Sequence, residues 1–320
     1  MVEPVDVVLP PKRSYYVIFN ARSGTAASLG LSADALRTEL EQAGHTARVD
    51  ADEGLALEER IAAAVSSECE VIVAAGGDGT VSALASKLVS SDKILAVLPL
   101  GTVNSLAKDL GMPLDVKAWV AALAAMEPQQ IDVGEVNSRI FLHMVVIGLI
   151  PSMAAGREAL RGRSEARAKL GLFLYFLRRI SRSRRLAIHI DPGNDAARIE
   201  RVQSVAITCN AFEEGFGRFL ARGTLDAGEL TVYQLKHLRL GDMLRLAAKM
   251  LLGRWQGDEA LTILNAPAVT IRSHRPRLQI MLDGEIASMS LPLEFRIKPQ
   301  ALWVLTAPAK SGVAVNSGGT

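Results

Sequence analysis

The sequence predicts a protein of the α/β plus all-β class. Its first part is a Rossmann-like, doubly wound α/β domain and its second an antiparallel β-sandwich. Three observations lead there. Short apolar runs alternate with helix-period segments up to about residue 130, the pattern of a mostly parallel sheet. After Gln130, strand-length segments follow one another at hairpin-like spacing with few helices between them, as in a sandwich or barrel. The ends of the early apolar runs carry small and polar residues, where open α/β sheets bind ligands.

The elements follow in order. "YYVIFN" (15–20) is β-branched and aromatic and reads as a strand. "LSADALRTELEQAG" places Leu31, Ala35, Leu36 and Leu40 at helical spacing, with Gly44 where a helix-ending glycine belongs. "TARVD", "EVIVAAG" and "KILAVLPLG" read as further strands, separated by the helical segments "ALEERIAAAVSS" and "VSALASKLVS"; "VNSLAKDLG" reads as a short helix. In the second part, "IDVGEVNSRIFLHMVVIGL" gives two β runs around a turn at Asn137-Ser138. "RRLAIHIDPGND", "ARIERVQSVAITCN", "GELTVYQL", "AVTIRS", "RLQIMLDGE" and "LPLEFRIKP" continue the strands, and "LRLGDMLRLAAKMLLG" is an amphipathic helix among them. The expected boundaries are 14–131 for the α/β domain, 132–299 for the β domain, a final strand near 300–308 returning to the first domain, and a disordered tail over 309–320.

Composition narrows the function classes. With 49% hydrophobic and 22% charged residues over 320 positions, the chain can bury a sizeable core. A formal net charge of +2 gives no global field for nucleic acid, and aromatic residues are too sparse among the basic ones for a nucleic-acid surface. Cys69 and Cys209 stand far apart, which gives neither a disulfide framework nor a zinc spacing and fits a cytoplasmic protein. His143, His189 and His237 are scattered singly and read as structural. No apolar run approaches the length of a membrane span.

The strongest chemical signal is Gly76-Gly77-Asp78-Gly79-Thr80, between the third strand and a helix. Glycines permit positive φ and let backbone approach a ligand closely. The following helix offers unpaired N–H groups and the positive end of its dipole, an anion site. Asp78 is the odd element, because a carboxylate beside phosphates needs a cation or a hydroxyl to meet. That points to Mg2+ and a nucleotide, against the plainer reading of Asp78 as a cap. Two other turns carry similar residues: Asn20, Ser23, Gly24 and Thr25 after the first strand, and Gly101, Thr102 and Asn104 after the fourth. All three lie at one edge of one sheet. Late in the chain, Asp283-Gly284-Glu285 ends a β run. Asp-Gly alone reads as a hairpin turn, whereas two carboxylates facing a ligand could accept a hydroxyl proton.

These motifs, in this order, resemble the diacylglycerol kinase catalytic domain family, which includes sphingosine and ceramide kinases and bacterial soluble lipid kinases. The matching residues are Asn20-x-x-Ser23-Gly24, Gly76-Gly77-Asp78-Gly79-Thr80 and Pro99-x-Gly101-Thr102-x-Asn104, and the resemblance runs from Tyr15 to Pro308. It implies an ATP-dependent lipid kinase using Mg2+, with nucleotide bound by Asn20, Ser23, Gly24, Gly76, Gly77, Asp78, Gly79, Thr80, Gly101, Thr102 and Asn104. It implies a lipid acceptor held by the β domain, the site in the cleft between the domains, and a general base at Asp283 or Glu285, which the sequence does not rank.

Three positions depart from the family's pattern. Ala83 stands where a Glu is usual, Ser105 where an Asp is usual, and Ala227 where the Asp of a structural Mg2+ site is usual. Asp226 is one residue early and, on a strand, would point elsewhere. Two other functions are therefore weighed: an NAD kinase, which shares the Gly-Gly-Asp-Gly-Thr loop, and a non-catalytic lipid- or nucleotide-binding regulator. The stretch 157–185 is rich in Arg and surrounds "LGLFLYFL". Read functionally, it is a peripheral contact with the inner face of an anionic membrane; read plainly, it is a solvated helix face.

Overall fold

The computed structural model describes residues 13–148, 186–192, 198–216, 220–236 and 240–307. The Arg-rich stretch 157–185, His237 and the tail 309–320 lie outside the described residues. The chain divides into two compact units. Among the described residues, the first comprises 13–81, 92–129 and 303–307, and the second comprises 82–91 and those between 130 and 302.

The first unit is built on parallel strands. β1 (Ser14–Phe19) lies between β2 (Thr46–Asp50) and β3 (Val71–Gly76), and β3 also pairs with β4 (Ile94–Pro99), all in parallel register. Every residue of β3 and β4 is buried. That is what a parallel strand covered by helices on both faces requires, and it explains their unbroken apolar sequences. The helices are α1 (Gly24–Leu29), α2 (Ala33–Gln42), α3 (Leu57–Val65), α4 (Asp78–Leu88), α5 (Ser105–Asp109) and α6 (Val116–Ala122). α2 begins where Ser32 Oγ accepts the Ala35 N–H at 3.1 Å, and it buries Leu36 and Leu40. A buried ion pair fixes the strand ends. Arg60 Nε meets Asp50 Oδ1 at 2.9 Å while its Nη2 donates to the carbonyls of Phe19 and Asp50.

The second unit is a sandwich. A six-stranded antiparallel sheet runs in the order β12 (Leu261–Ala266), β11 (Leu230–Leu235), β10 (Ser204–Cys209), β7 (Met144–Gly148), β14 (Arg277–Leu282), β15 (Glu285–Ser290). Opposite it, β13 (Ala268–Arg272) pairs with β8 (Leu186–Asp191) and with the first half of β16 (Leu293–Thr306), and β8 pairs with β9 (Arg198–Val202). One apolar core joins the layers: Val145, Ile147, Val205, Ile207, Val232 and Ile280 from the first sheet meet Ile188, Ile190, Ile271, Leu293 and Phe295 from the second. A satellite cluster of Phe212, Tyr233 and Trp255 forms on the far side of the six-stranded sheet, where helix α7 (Leu240–Leu251) adds Leu246 and Met250.

Several segments differ from the sequence reading. β5 (Glu127–Val136) and β6 (Arg139–Phe141) form the expected hairpin about Asn137 and Ser138, both left-handed at φ 45° and 66°. The second β run, however, breaks at Leu142-His143 into β6 and β7, because those N–H groups are taken by a side chain described below. The run 198–209 also breaks, at Gln203, where the chain leaves β9 and enters β10 in the other sheet. β12 was not expected. The final strand does not stop at Pro299 but continues as β16 to Thr306. Gln300 absorbs the proline's irregularity with φ 48°, and its N–H donates to the buried Asp132 carboxylate at 2.8 Å. Beyond it, Trp303 and Val304 pair in parallel with Ile94 and Leu95 of β4.

α7 is tied down by a buried carboxylate. Asp258, whose side chain is fully buried, accepts Arg245 Nε and Nη2 at 3.0 Å, Lys249 Nζ at 2.9 Å and the Ala260 N–H at 3.0 Å. Its hydrogen bonds to Arg245 hold its carboxyl well below the usual carboxylate range, against the opposing effect of desolvation. A depressed folded-state pKa stabilises the fold above the unfolded value and is lost as pH falls through and below it. Asp258→Asn should therefore speed amide exchange of α7 at pH 7, by the equivalent of roughly 1–3 kcal/mol. The difference from the unaltered protein should shrink on acidification below about pH 4; equal exchange in both proteins at pH 7 would refute the assignment.

Candidate active site

The three polar turns of the first unit are pressed together. A Cβ on Gly101 would come within 2.6 Å of the Gly77 Cα, and one on Gly77 within 3.2 Å of the Gly101 Cα. The second and third turns thus touch backbone to backbone. Gly76 leaves room for the Thr80 side chain, since a Cβ there would meet its Oγ1 at 2.6 Å. None of Gly24, Gly76, Gly77, Gly79 and Gly101 has positive φ. That corrects part of the sequence argument: these glycines serve close approach and not left-handed backbone.

Hydrogen bonds complete the cluster. Asn20 Nδ2 donates to Thr80 Oγ1 at 3.1 Å, tying the first turn to the second. Thr25 N–H donates to the Leu100 carbonyl and its Oγ1 to the Gly101 carbonyl, both at 3.0 Å, tying the first turn to the third. Asn104, left-handed at φ 53°, folds back on its own turn: its Oδ1 accepts the Gly101 N–H at 2.8 Å and its Nδ2 donates to the Gly101 carbonyl at 2.9 Å. Gly24 lies within 3.3 Å of Thr102 Oγ1 by the same Cβ measure. Thr102 and Gly79 are exposed, Thr80 is buried, and Ser23 carries a buried hydroxyl with no partner.

Asp78 has a definite structural role. Its two oxygens accept the N–H groups of Asn104 at 2.9 Å and Ser105 at 2.7 Å. It therefore caps a helix, but α5 and not its own. Position 105 contributes its backbone N–H to this bond, which any residue but proline supplies. Val81 N–H is the first in α4 to bond back, to the Gly77 carbonyl at 3.1 Å. The N–H groups ahead of it open the helix as a positive terminus.

The second unit holds the late carboxylates. Leu282 pairs with Glu285 across a two-residue turn whose residues, Asp283 and Gly284, both have positive φ, 46° and 95°. This is a type I′ hairpin, yet the Asp283 side chain does not point to water. Oδ2 accepts the Leu142 N–H at 2.7 Å, and Oδ1 accepts those of His143 and Met144 at 2.9 and 3.0 Å. These three bonds interrupt the strand between β6 and β7. Ser82 Oγ, which groups with the second unit, lies 3.4 Å from Oδ2. Burial pushes the Asp283 carboxyl up, while the three amides and His143 pull it back. Glu285 is exposed at the start of β15.

Asp226 and Ala227 lie in the loop before β11, not on a strand as the alternation argument assumed. There the buried Asp132 carboxylate accepts the Gly228 N–H at 2.6 Å as well as that of Gln300. Among the described residues, no group of three His, Cys, Asp or Glu side chains is arranged to hold a metal ion.

Two residues escaped the sequence reading. Asn210 is fully buried, left-handed at φ 64°, and neither its Nδ2 nor its Oδ1 has a partner. Arg222 is buried and reaches the same segment as Asp283. An isolated Asn or Arg in a loop-rich stretch carries no sequence signal; the hairpin pairings alone bring them inward.

Family models match both parts of the chain: a diacylglycerol kinase catalytic domain over residues 14–136 and a YegS C-terminal NAD kinase β-sandwich-like domain over residues 158–306. A protein of Pseudomonas putida named "Probable lipid kinase YegS-like" is 31% identical over 268 residues, covering 81% of this chain and 84% of the relative. A diacylglycerol kinase of Bacillus subtilis is 27% identical over 235 residues, covering 71% and 75%. The fold is that of a crystal structure of a diacylglycerol kinase from Bacillus anthracis, with a TM-score of 0.69 at 17% identity over 93% of this chain and 98% of that one. With its motifs, its two-part architecture and these relatives in agreement, the chain belongs to the family of lipid kinases built on the diacylglycerol kinase catalytic domain.

Proposed function

We propose that the protein is an ATP-dependent kinase that transfers the γ-phosphoryl group to a lipid hydroxyl, with diacylglycerol the first acceptor to test because its relatives carry that name. The observation that carries the nucleotide reading is the fusion of three glycine-bearing turns into one cluster at the opening of α4. Such a cluster presents backbone N–H groups and a positive helix terminus to an anion. The unpartnered Ser23 hydroxyl is a further donor for it.

ATP bound with Mg2+ would supply the phosphoryl group and neutralise its developing charge. The chain's own residues position the phosphates and receive the proton. Thr80 is held by Asn20, and Thr102 stands exposed at the rim. Asp78 keeps the second and third turns in register by capping α5, so its contribution to binding is through the shape of the cluster. Asp283 is the base in this reading. A carboxylate oxygen has two lone pairs; Oδ1 spends both on amides, while Oδ2 spends one and keeps the other open apart from the long Ser82 contact.

Purified protein given radiolabelled ATP, Mg2+ and lipid in mixed micelles should label diacylglycerol or a related lipid alcohol. No transfer to any diacylglycerol, sphingoid base or related lipid would sink the proposal, and NADP formation would replace it with the NAD kinase reading. Asp283→Asn should lower turnover by about 10²–10⁴-fold, and Glu285→Gln far less; the reverse ranking would move the base to Glu285. Because burial raises the Asp283 carboxyl, turnover should fall on acidification at a pH above the ordinary aspartate range, and that limb should vanish in Asp283→Asn. Gly101→Ala places a Cβ against Gly77 backbone. It should weaken ATP binding about tenfold or more and cost roughly 1–3 kcal/mol in stability, measurable by calorimetric titration and thermal unfolding.

A further inference from the structure

Asp283 is gripped by a peptide group that a buried cation grips from the other side. The carbonyl of Leu142 and the N–H of His143 belong to one peptide unit. The carbonyl accepts Arg222 Nη1 at 2.7 Å, and the N–H donates to Asp283 Oδ1 at 2.9 Å. Guanidinium, peptide dipole and carboxylate therefore stand in series, positive end to negative end. Hydrogen bonds in such a chain polarise and strengthen one another in a low-dielectric interior. The same Nη1 donates to the Cys209 carbonyl at 3.0 Å, which anchors the guanidinium on β10. Arg222 is only 6% exposed, so its charge is little screened by water.

We propose that Arg222 is a positioning residue for Asp283, holding the carboxylate in its working orientation and charge state through the Leu142–His143 peptide. This rests on the reading of Asp283 as the base. In this role Arg222 acts through the peptide and takes no proton itself.

Other ionisable groups surround the pair and act on it differently. His143, on the segment before β7, pulls the Asp283 carboxyl down. Glu285 stands across the turn on β15. Cys209, on β10, has its thiol pushed up by burial and stays neutral; it feels Arg222, Asp283 and the Asp132 of β5. Arg222 is the buried cation of this set that is bonded to the peptide holding Asp283.

The test separates charge from hydrogen bonding. Arg222→Gln keeps an N–H donor for the Leu142 carbonyl but removes the charge, and Arg222→Lys keeps the charge. The side-chain carboxyl carbon of Asp283, assigned by its loss in Asp283→Asn, is titrated by NMR in the full chain without nucleotide or lipid. Arg222→Gln should move the Asp283 midpoint upward and Arg222→Lys should return it toward the unaltered protein. Turnover should follow, with kcat falling about tenfold in Arg222→Gln, the KM for ATP unchanged, and activity rescued in Arg222→Lys. A folded Arg222→Gln protein with an unmoved Asp283 midpoint would overturn the proposal. Should that variant not fold, the unaltered protein decides: the Arg222 side-chain nitrogen signals must shift at the pH where Asp283 titrates, and a flat response overturns the link. If instead Asp283→Asn leaves phosphoryl transfer intact, the catalytic reading of Asp283 fails while the titration still decides whether Arg222 governs it.

Discussion

No side-chain atom fits between Gly77 and Gly101, and the cluster of polar turns at the edge of the first unit depends on that constraint. Parallel strands deliver their C-terminal turns to one edge of a sheet, but strand spacing alone leaves neighbouring turns apart. Here two of them close to backbone contact, and the polar residues around them become mutual supports. Asp78 reaches across to α5, Asn104 braces Gly101, and Thr25 leans on the same carbonyl. A larger residue at either glycine would push the turns apart and disturb all of these bonds together. The cluster is thus one object made from one strong motif and two weak ones.

In the second unit the organising devices are buried or half-buried carboxylates satisfied by other chain segments. Asp132 holds the loop before β11 and the irregular point of β16; Asp283 holds the junction of β6 and β7; Asp258 holds α7. A buried charge without partners would be prohibitive. Asp132 and Asp283 instead accept at least two N–H groups that the local secondary structure leaves free, and Asp258 accepts one together with the side chains of Arg245 and Lys249. Irregularities of the sandwich are therefore paired with acids that stabilise them, and the break between β6 and β7 occurs where an aspartate claims the backbone.

Much of the fold was legible in the sequence because its signals are local. The unbroken apolar runs of β3 and β4 and the alternation of strand and helix periods follow from burial on two faces or one. The turn at Asn137-Ser138 and the hairpin at Asp283-Gly284 follow from residues that tolerate positive φ. What the sequence hid was non-local. The break at Leu142-His143 is caused by an aspartate about 140 positions later, and nothing near it in the sequence marks it. Asp78 reads as a metal or hydroxyl ligand, or as the cap of its own helix, because the amides it serves lie on another turn. Glycines in the three turns suggested positive φ, whereas the space between the turns is what excludes side chains. Arg222 was invisible for the same reason, its partners being carbonyls at the β6–β7 junction and on β10.

The course of β16 has a consequence for how the chain acquires its structure during synthesis. Residues 303 and 304 complete the first unit's sheet by pairing with 94 and 95 of β4, a separation of more than 200 positions. Until residues 303 and 304 have been synthesised, β4 presents a fully apolar strand with one unpaired edge. Pairings of such high contact order form late, and an unpaired apolar edge is a template for association with other chains. The first unit, though most of it is translated first, is finished only after the sandwich that follows it in sequence. Its vulnerable interval lasts as long as the sandwich takes to emerge.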